Sequence, residues 1–306
     1  MSNRTLARLL AVAGALVVIW AAVTFLSGRP EPALPAAGEW SALLDELTSG
    51  TVTSIVMEDS AGTRVLRSED GGSRWTVDGF EGDAAVVTRF WSAMGDAYVS
   101  EVVASNPENH ERMGVAEGST VTVTFETADG PTTVLVGAAG AAPGTAFIRR
   151  PGEEDVYLLE GGLRAHFVRD QTGWREKRML AVDTAAVRTI EVERPGESYA
   201  IVRRDTAWTM DGAPIRTFPV ISILEELAGF RGIEFLVPGD SLYETPPAIT
   251  VTALGATGDT MAVVNLGAGE RDRRGTVRGD SIVYQVPSFR IDRIAPPRAN
   301  LILPAN

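Results

Sequence analysis

The pattern Trp-Thr-x-Asp-Gly occurs twice, in RWTVDG at Arg74–Gly79 and in AWTMDG at Ala207–Gly212, and each copy opens the same succession of segments. The first is followed by an apolar-faced stretch, STVTVTF at Ser119–Phe125, VLVG at Val134–Gly137 and DVYLL at Asp155–Leu159. The second is followed by another apolar-faced stretch, AITVTAL at Ala248–Leu254, VNLG at Val264–Gly267 and IVYQV at Ile282–Val286. Val121 and Val251 stand 130 residues apart, as do Gly137 and Gly267, and Tyr157 and Tyr284 stand 127 apart. Loop deletions produce such drift. A solenoid repeats every 20–50 residues, roughly, so this longer period signals a duplicated domain.

The residues inside the repeat predict the elements of each copy. Val87, Phe90, Trp91 and Met94 recur at helical spacing, and Val220, Ile223, Leu224 and Leu227 match them at a constant offset of 133. Such a stripe buries one helix face, and Pro219 suits a first helical turn. Tyr98 is read as one further turn of the first helix. Trp40, Leu43, Leu44 and Leu47 mark a short helix over residues 39–49. Val121, Val123 and Phe125 alternate with threonines, as in a half-buried strand, and Asp129-Gly130 marks a hairpin. Each copy is therefore expected to be an α+β unit, a mainly antiparallel sheet with packed helices.

Ahead of the copies lies Leu9–Leu26, LLAVAGALVVIWAAVTFL, apolar except for Thr24. At 1.5 Å per residue it reaches about 27 Å as a helix, close to the hydrocarbon thickness of a bilayer. Arg4 and Arg8 precede it, so the expected topology is a single-pass signal anchor in the cytoplasmic (inner) membrane of a bacterium, N-terminus inside and the bulk extracytoplasmic. The expected organisation is 1–28 cytoplasmic tip and anchor, 29–37 Pro-rich extended spacer, 38–182 first repeat and 183–306 second repeat.

The chain of 306 residues carries a formal net charge of -12, which argues against nucleic acid, whose phosphates call for Lys and Arg. It has no cysteine, which excludes disulfides and thiolate chemistry. No reactive constellation emerges. Gly239-Asp240-Ser241-Leu242 imitates the nucleophile block of the GDSL hydrolases, but no histidine follows His166 to serve as its base. His110 and His166 lack metal-ligand spacing. The carboxylates at Glu153-Glu154-Asp155 and around Asp78–Asp83 match no EF-hand loop. Gly267-Ala268-Gly269 lacks the third glycine of a dinucleotide fingerprint. The expectation is no catalytic residue, no metal and no cofactor.

Taken in order, the anchor, the two tryptophan strands, the loop HERMGV at His110–Val115, then VLVG, FIRRPGEEDVYLL at Phe147–Leu159 and REKRML at Arg175–Leu180 resemble the domain-of-unknown-function family numbered 4340. In the second copy Tyr243-Glu244-Thr245 stands where the first has Met113-Gly114-Val115, so the glycine turn is lost there. The resemblance implies an association with auxiliary components of gliding-type ABC export systems, and hence integral membrane transporter subunits as partners. It carries no catalytic residues. The expected function is a non-catalytic, membrane-anchored accessory or scaffold protein. A periplasmic module binding an envelope glycan or peptide is the alternative, with Trp75 and Trp208 as candidate cleft aromatics. A hydrolase using carboxylates distant in the chain is a third reading.

Overall fold

The computed structural model describes residues 35–118, 120–267 and 271–304. The expected anchor, Leu9–Leu26, lies outside the described residues. Among the described residues no helix is long and apolar enough to cross a membrane. Among the described residues two compact units are present, 35–78 with 85–169, and 79–84 with 170–304.

The first unit starts with α1 (Pro35–Glu46). The strands of the first copy are β1 (Val52–Asp59), β2 (Gly62–Glu69), β3 (Arg74–Val77), β4 (Phe80–Glu81, grouped with the second unit), β5 (Tyr98–Ala104), β6 (Val121–Thr127), β7 (Gly130–Ala139), β8 (Ala146–Arg149) and β9 (Val156–Glu160). Between them lie α2 (Ala84–Asp96) and the short α3 (His110–Met113), and α4 (Arg164–Phe167) follows β9. Nine strands form one sheet in the order β4-β3-β2-β1-β6-β7-β8-β9-β5.

After α5 (Gln171–Trp174), the second copy repeats the plan with β10 (Thr189–Arg194), β11 (Glu197–Arg204), β12 (Ala207–Met210), β13 (Ala213–Pro214), α6 (Thr217–Gly229) and β14 (Glu234–Phe235). It continues with β15 (Ile249–Leu254), β16 (Thr260–Leu266), β17 (Arg273–Val277), β18 (Tyr284–Val286) and α7 (Ser288–Ile294). Its sheet runs β13-β12-β11-β10-β15-β16-β17-β18-β14. Strand for strand this is the first order shifted by nine, so the duplicated α+β architecture extends to the topology.

The repeated Asp-Gly is what turns the chain at the same point in both copies. Asp78 and Gly79 have φ of 49° and 83°, and Asp211 and Gly212 have 52° and 78°. A two-residue hairpin turn of the I′ type needs positive φ at both positions, which Asp tolerates and Gly adopts freely. Asp78 adds a further tie, accepting the Val65 N–H on Oδ1 at 2.9 Å.

Strand alternation then decides which face is covered. Ile190, Val192, Ile201, Val251, Ala253, Val264 and Leu266 form one cluster with Val220, Ile223 and Leu227 of α6 and Ile291 and Ile294 of α7. Glu191 and Glu193 alternate with the buried pair on β10 and are exposed. In the first unit Val87, Phe90 and Met94 of α2 are buried, so the matched stripes have matched burial. Phe90 sits in an aromatic cluster, with ring centroids 4.9 Å from Trp91, 5.7 Å from His166 and 6.0 Å from Phe167.

Some expectations are corrected. Helix α1 begins at Pro35, so the last residues of the expected extended spacer form its first turn. The helical stripe stops at Asp96: Tyr98, 53% exposed, instead starts β5, where Val99, Val102 and Val103 favour an extended chain. Residues 170–182 group with the second unit. Met179 and Leu180 join the second core, and their N–H groups donate to Phe230 O at 2.7 and 3.3 Å. The C-terminal run is docked: Leu301 is fully buried, and Ile302 pairs with Ile215.

Candidate functional site

Three segments quoted for the family resemblance meet at one place in the first unit. HERMGV forms α3 and ends on Gly114, at φ 66°. The Gly114 N–H donates to Glu111 O at 3.0 Å, and the Val115 N–H to His110 O at 2.9 Å, which is a Schellman ending. VLVG lies directly beneath. A Cβ on Gly137 would stand 2.3 Å from Met113 O and 2.7 Å from Val115 Cγ1, so only glycine lets the loop settle on β7. FIRR supplies the clamp. Arg149, only 4% exposed, donates to Val115 O through Nε at 3.1 Å and Nη2 at 2.8 Å. Its Nη1 donates to Glu153 O at 2.7 Å. A buried guanidinium is costly unless its N–H groups are matched, and here backbone carbonyls match them. His110 Nε2 lies 2.8 Å from Glu154 O, joining α3 to the same loop.

Beside this loop opens a cleft of about 360 Å³, lined by Asp59, Gly114, Thr120, Gly137, Ala138 and Arg164 among others. Arg164, half-buried at the start of α4, donates through Nε to Gly137 O at 2.7 Å. Asp59 accepts from the Ala61 N–H at 2.8 Å and from Arg64 Nη2 at 2.7 Å. The Arg64 hydrogen bond holds the Asp59 carboxyl below its usual range. Arg64, itself 5% exposed, also reaches Phe167 O at 3.3 Å. The Asp59 stabilisation is therefore complete above the unfolded value of about 3.9 and lost as pH falls through the lowered folded value. Thermal unfolding followed across that acid window is expected to show this loss in the wild type. Asp59→Asn is expected to lack that component and to be the less stable protein at neutral pH.

The second unit keeps the fold and loses this apparatus. By register Thr276 occupies the place of Arg149: Arg149 pairs with Leu135, and Thr276 with Asn265, 130 residues on. Glu244 replaces Gly114, and residues 240–244 form turns, with the Tyr243 N–H donating to Asp240 O at 3.0 Å. Val192 pairs with Tyr199 as Met57 pairs with Arg64. Tyr199 Oη donates to Pro296 O at 2.5 Å, so a tyrosine makes there the strand-to-backbone tie that Arg64 makes in the first unit.

The residues singled out in the sequence are placed as follows. Trp75 is buried, donates through Nε1 to Gly72 O at 3.1 Å and packs on Trp91, with ring centroids 5.3 Å apart. Trp208 packs against the second core. Both tryptophans thus serve the cores of their own units. Ser241 is exposed in the turn, and its carbonyl accepts from Thr245 Oγ1 at 3.3 Å. His166 packs on Phe90, and burial, then the charges of Arg169 and Arg89, keep its pKa below the usual imidazole value. Asp83 pairs with Arg231 at 2.6 Å. Gly267 lies against Arg273, while Ala268 and Gly269 lie outside the described residues. Among the described residues no group of three or more His, Cys, Asp or Glu could hold a metal ion. Sequence reasoning missed Arg149 and Arg164. The one signal for Arg149 is an arginine inside the otherwise apolar strand AFIR.

The fold and the clamped glycine loop define a duplicated antiparallel α+β protein whose first copy carries the loop clamp and whose second copy does not. The chain belongs to the family described as Domain of unknown function (DUF4340), whose model matches residues 75–253 and so spans the junction of the two copies. No curated protein and no solved structure matches it.

Proposed function

We propose that this protein is a non-catalytic, membrane-anchored extracytoplasmic accessory or scaffold protein, associated with an ABC-type export system of the gliding-motility kind. The observation that carries this reading is how α1 joins the first unit. Trp40 of α1 is 2% exposed, meets Tyr157 edge-on at 5.6 Å between ring centroids, and lies 4.9 Å beneath the Arg150 guanidinium. The first described helix after the apolar run Leu9–Leu26 is thus part of the first unit's core. Only residues 27–34 separate the two, and nine steps of extended chain reach about 30 Å. With Leu9–Leu26 in the bilayer, the first unit is held at the membrane surface rather than on a long leash. The transporter association rests on the family resemblance.

The test is purification of the full chain from its own membrane in mild detergent, with co-purifying proteins quantified by mass spectrometry. An ABC permease and its ATPase are expected to be enriched over an unrelated anchored control. That enrichment is expected to disappear when Leu9–Leu26 is exchanged for another anchor or residues 183–306 are deleted. A chain extracted with no transporter subunit above the control would overturn the reading.

A further inference from the structure

The cleft of the first unit is lined by an arginine whose guanidinium is only partly engaged. Nε of Arg164 is engaged by Gly137 O, but its two terminal nitrogens have no partner among the described residues. Asp59, on the same cleft, accepts instead from the Ala61 N–H and from the buried Arg64. The corresponding corner of the second unit is closed internally. Arg194 ends β10 as Asp59 ends β1, pairing with Glu197 as Asp59 pairs with Gly62. Its Nη1 donates to Ala295 O at 2.7 Å, and its Nε lies 3.5 Å from Glu197. Two copies of one fold therefore treat the same corner differently: in the second unit an arginine at the place of Asp59 is tied to Ala295 O and Glu197, whereas in the first unit Arg164 lines an open cleft.

We propose that this cleft is a carboxylate-binding site that takes a short peptide. A half-buried guanidinium held at Nε presents its remaining N–H groups as a fork, which fits the two oxygens of a carboxylate. Gly114 and Gly137 pack against each other, and the neighbouring Ala138 adds only a methyl group to the wall, which leaves room for a ligand beside Arg164. About 360 Å³ lies at the small end of ligand pockets and suits a ligand of dipeptide size. The carboxylate could be the C-terminus of a peptide or an acidic side chain, and the chemistry at Arg164 is the same for both. The site does not depend on the anchored-scaffold reading, since the cleft lies wholly within the first unit.

The experiment is calorimetric titration of the full chain in detergent with three probes: N-acetyl-Ala-Ala, its C-terminal amide, and N-acetyl-Ala-Glu amide. At least one acid is expected to bind tighter than the neutral amide by roughly tenfold or more. The preferred acid tells a terminal from a side-chain carboxylate. Arg164→Gln is expected to weaken that acid by roughly tenfold or more and to leave the neutral amide unchanged. Ala138→Glu, which places a carboxylate in the cleft while keeping Arg164, is expected to abolish binding and gives the answer if Arg164→Gln does not fold. Arg216→Gln, on the exposed surface of the second unit, is expected to change nothing. The proposal is overturned if neither acid binds better than the amide up to about 10 mM, or if a folded Arg164→Gln or Ala138→Glu binds like the wild type.

Discussion

Phe90→Ala is expected to destabilise the first unit by about 3–5 kcal/mol, the usual cost of emptying a buried aromatic site. Phe90 is 1% exposed, and its ring meets Trp91 and His166 as well as Phe167 of α4. Phe167 in turn meets Phe125 of β6, with ring centroids 6.2 Å apart. Removing the ring would unseat the contact between helix and sheet from both sides, so little collapse can fill the space. Denaturant unfolding followed by tryptophan fluorescence reads the effect directly, because Trp91 is in contact. A domain typically has a margin of about 5–15 kcal/mol, so this one change would consume a large part of it. A loss below about 1 kcal/mol would mean that the stripe is not the core contact described above.

The second large effect separates two glycines that look identical in sequence. Gly137→Ala is expected to cost about 1–3 kcal/mol or more, because the new Cβ meets backbone, Met113 O at 2.3 Å and Gly114 C at 3.0 Å. The loop held by Arg149 would have to lift. Gly267→Ala is expected to cost less than about 1 kcal/mol, since its nearest neighbour is Arg273 Cβ at 3.3 Å, on a side chain at the surface of its strand pair. Chemical denaturation of the two variants side by side checks the difference. Equal losses would show that the clamped loop of the first copy places no special demand on its glycine.

The duplication was legible because both copies must bury the same helix stripe on the same alternating strands, and burial leaves a periodic mark in sequence. The Asp-Gly turns were legible for a similar reason, since few residues accept positive φ. The edge strands were not. Two-residue strands such as Phe80–Glu81 and Glu234–Phe235 are too short to show alternation. Tyr98–Ala104 follows a helix whose spacing Tyr98 happens to continue, and only β5's pairing with β9 settles its conformation. The clamp was hidden too. Arg149 reads as a surface cation, and its partner Val115 O lies 34 residues away on a loop. The cleft draws Asp59, Gly137 and Arg164 from three separate stretches, so no local motif announces it.

The place of the fifth strand also dictates when each unit can be finished. Seven of the eight neighbour pairs in the first sheet run through hairpins or the β1–β6 contact, but β5 at the far edge waits for β9. Val99 pairs with Leu159, and in the second unit Phe235 pairs with Tyr284. A chain emerging from its N-terminus therefore carries a completed β5 sequence with nothing to pair with until residues 156–160 have followed. Closing such a long loop delays the reward of pairing and lengthens the time for which an apolar edge stands open. Each repeat is thus sealed by its last strand, and a fragment cut before β9 or β18 would leave its unit with an unpaired border rather than a smaller version of the same fold.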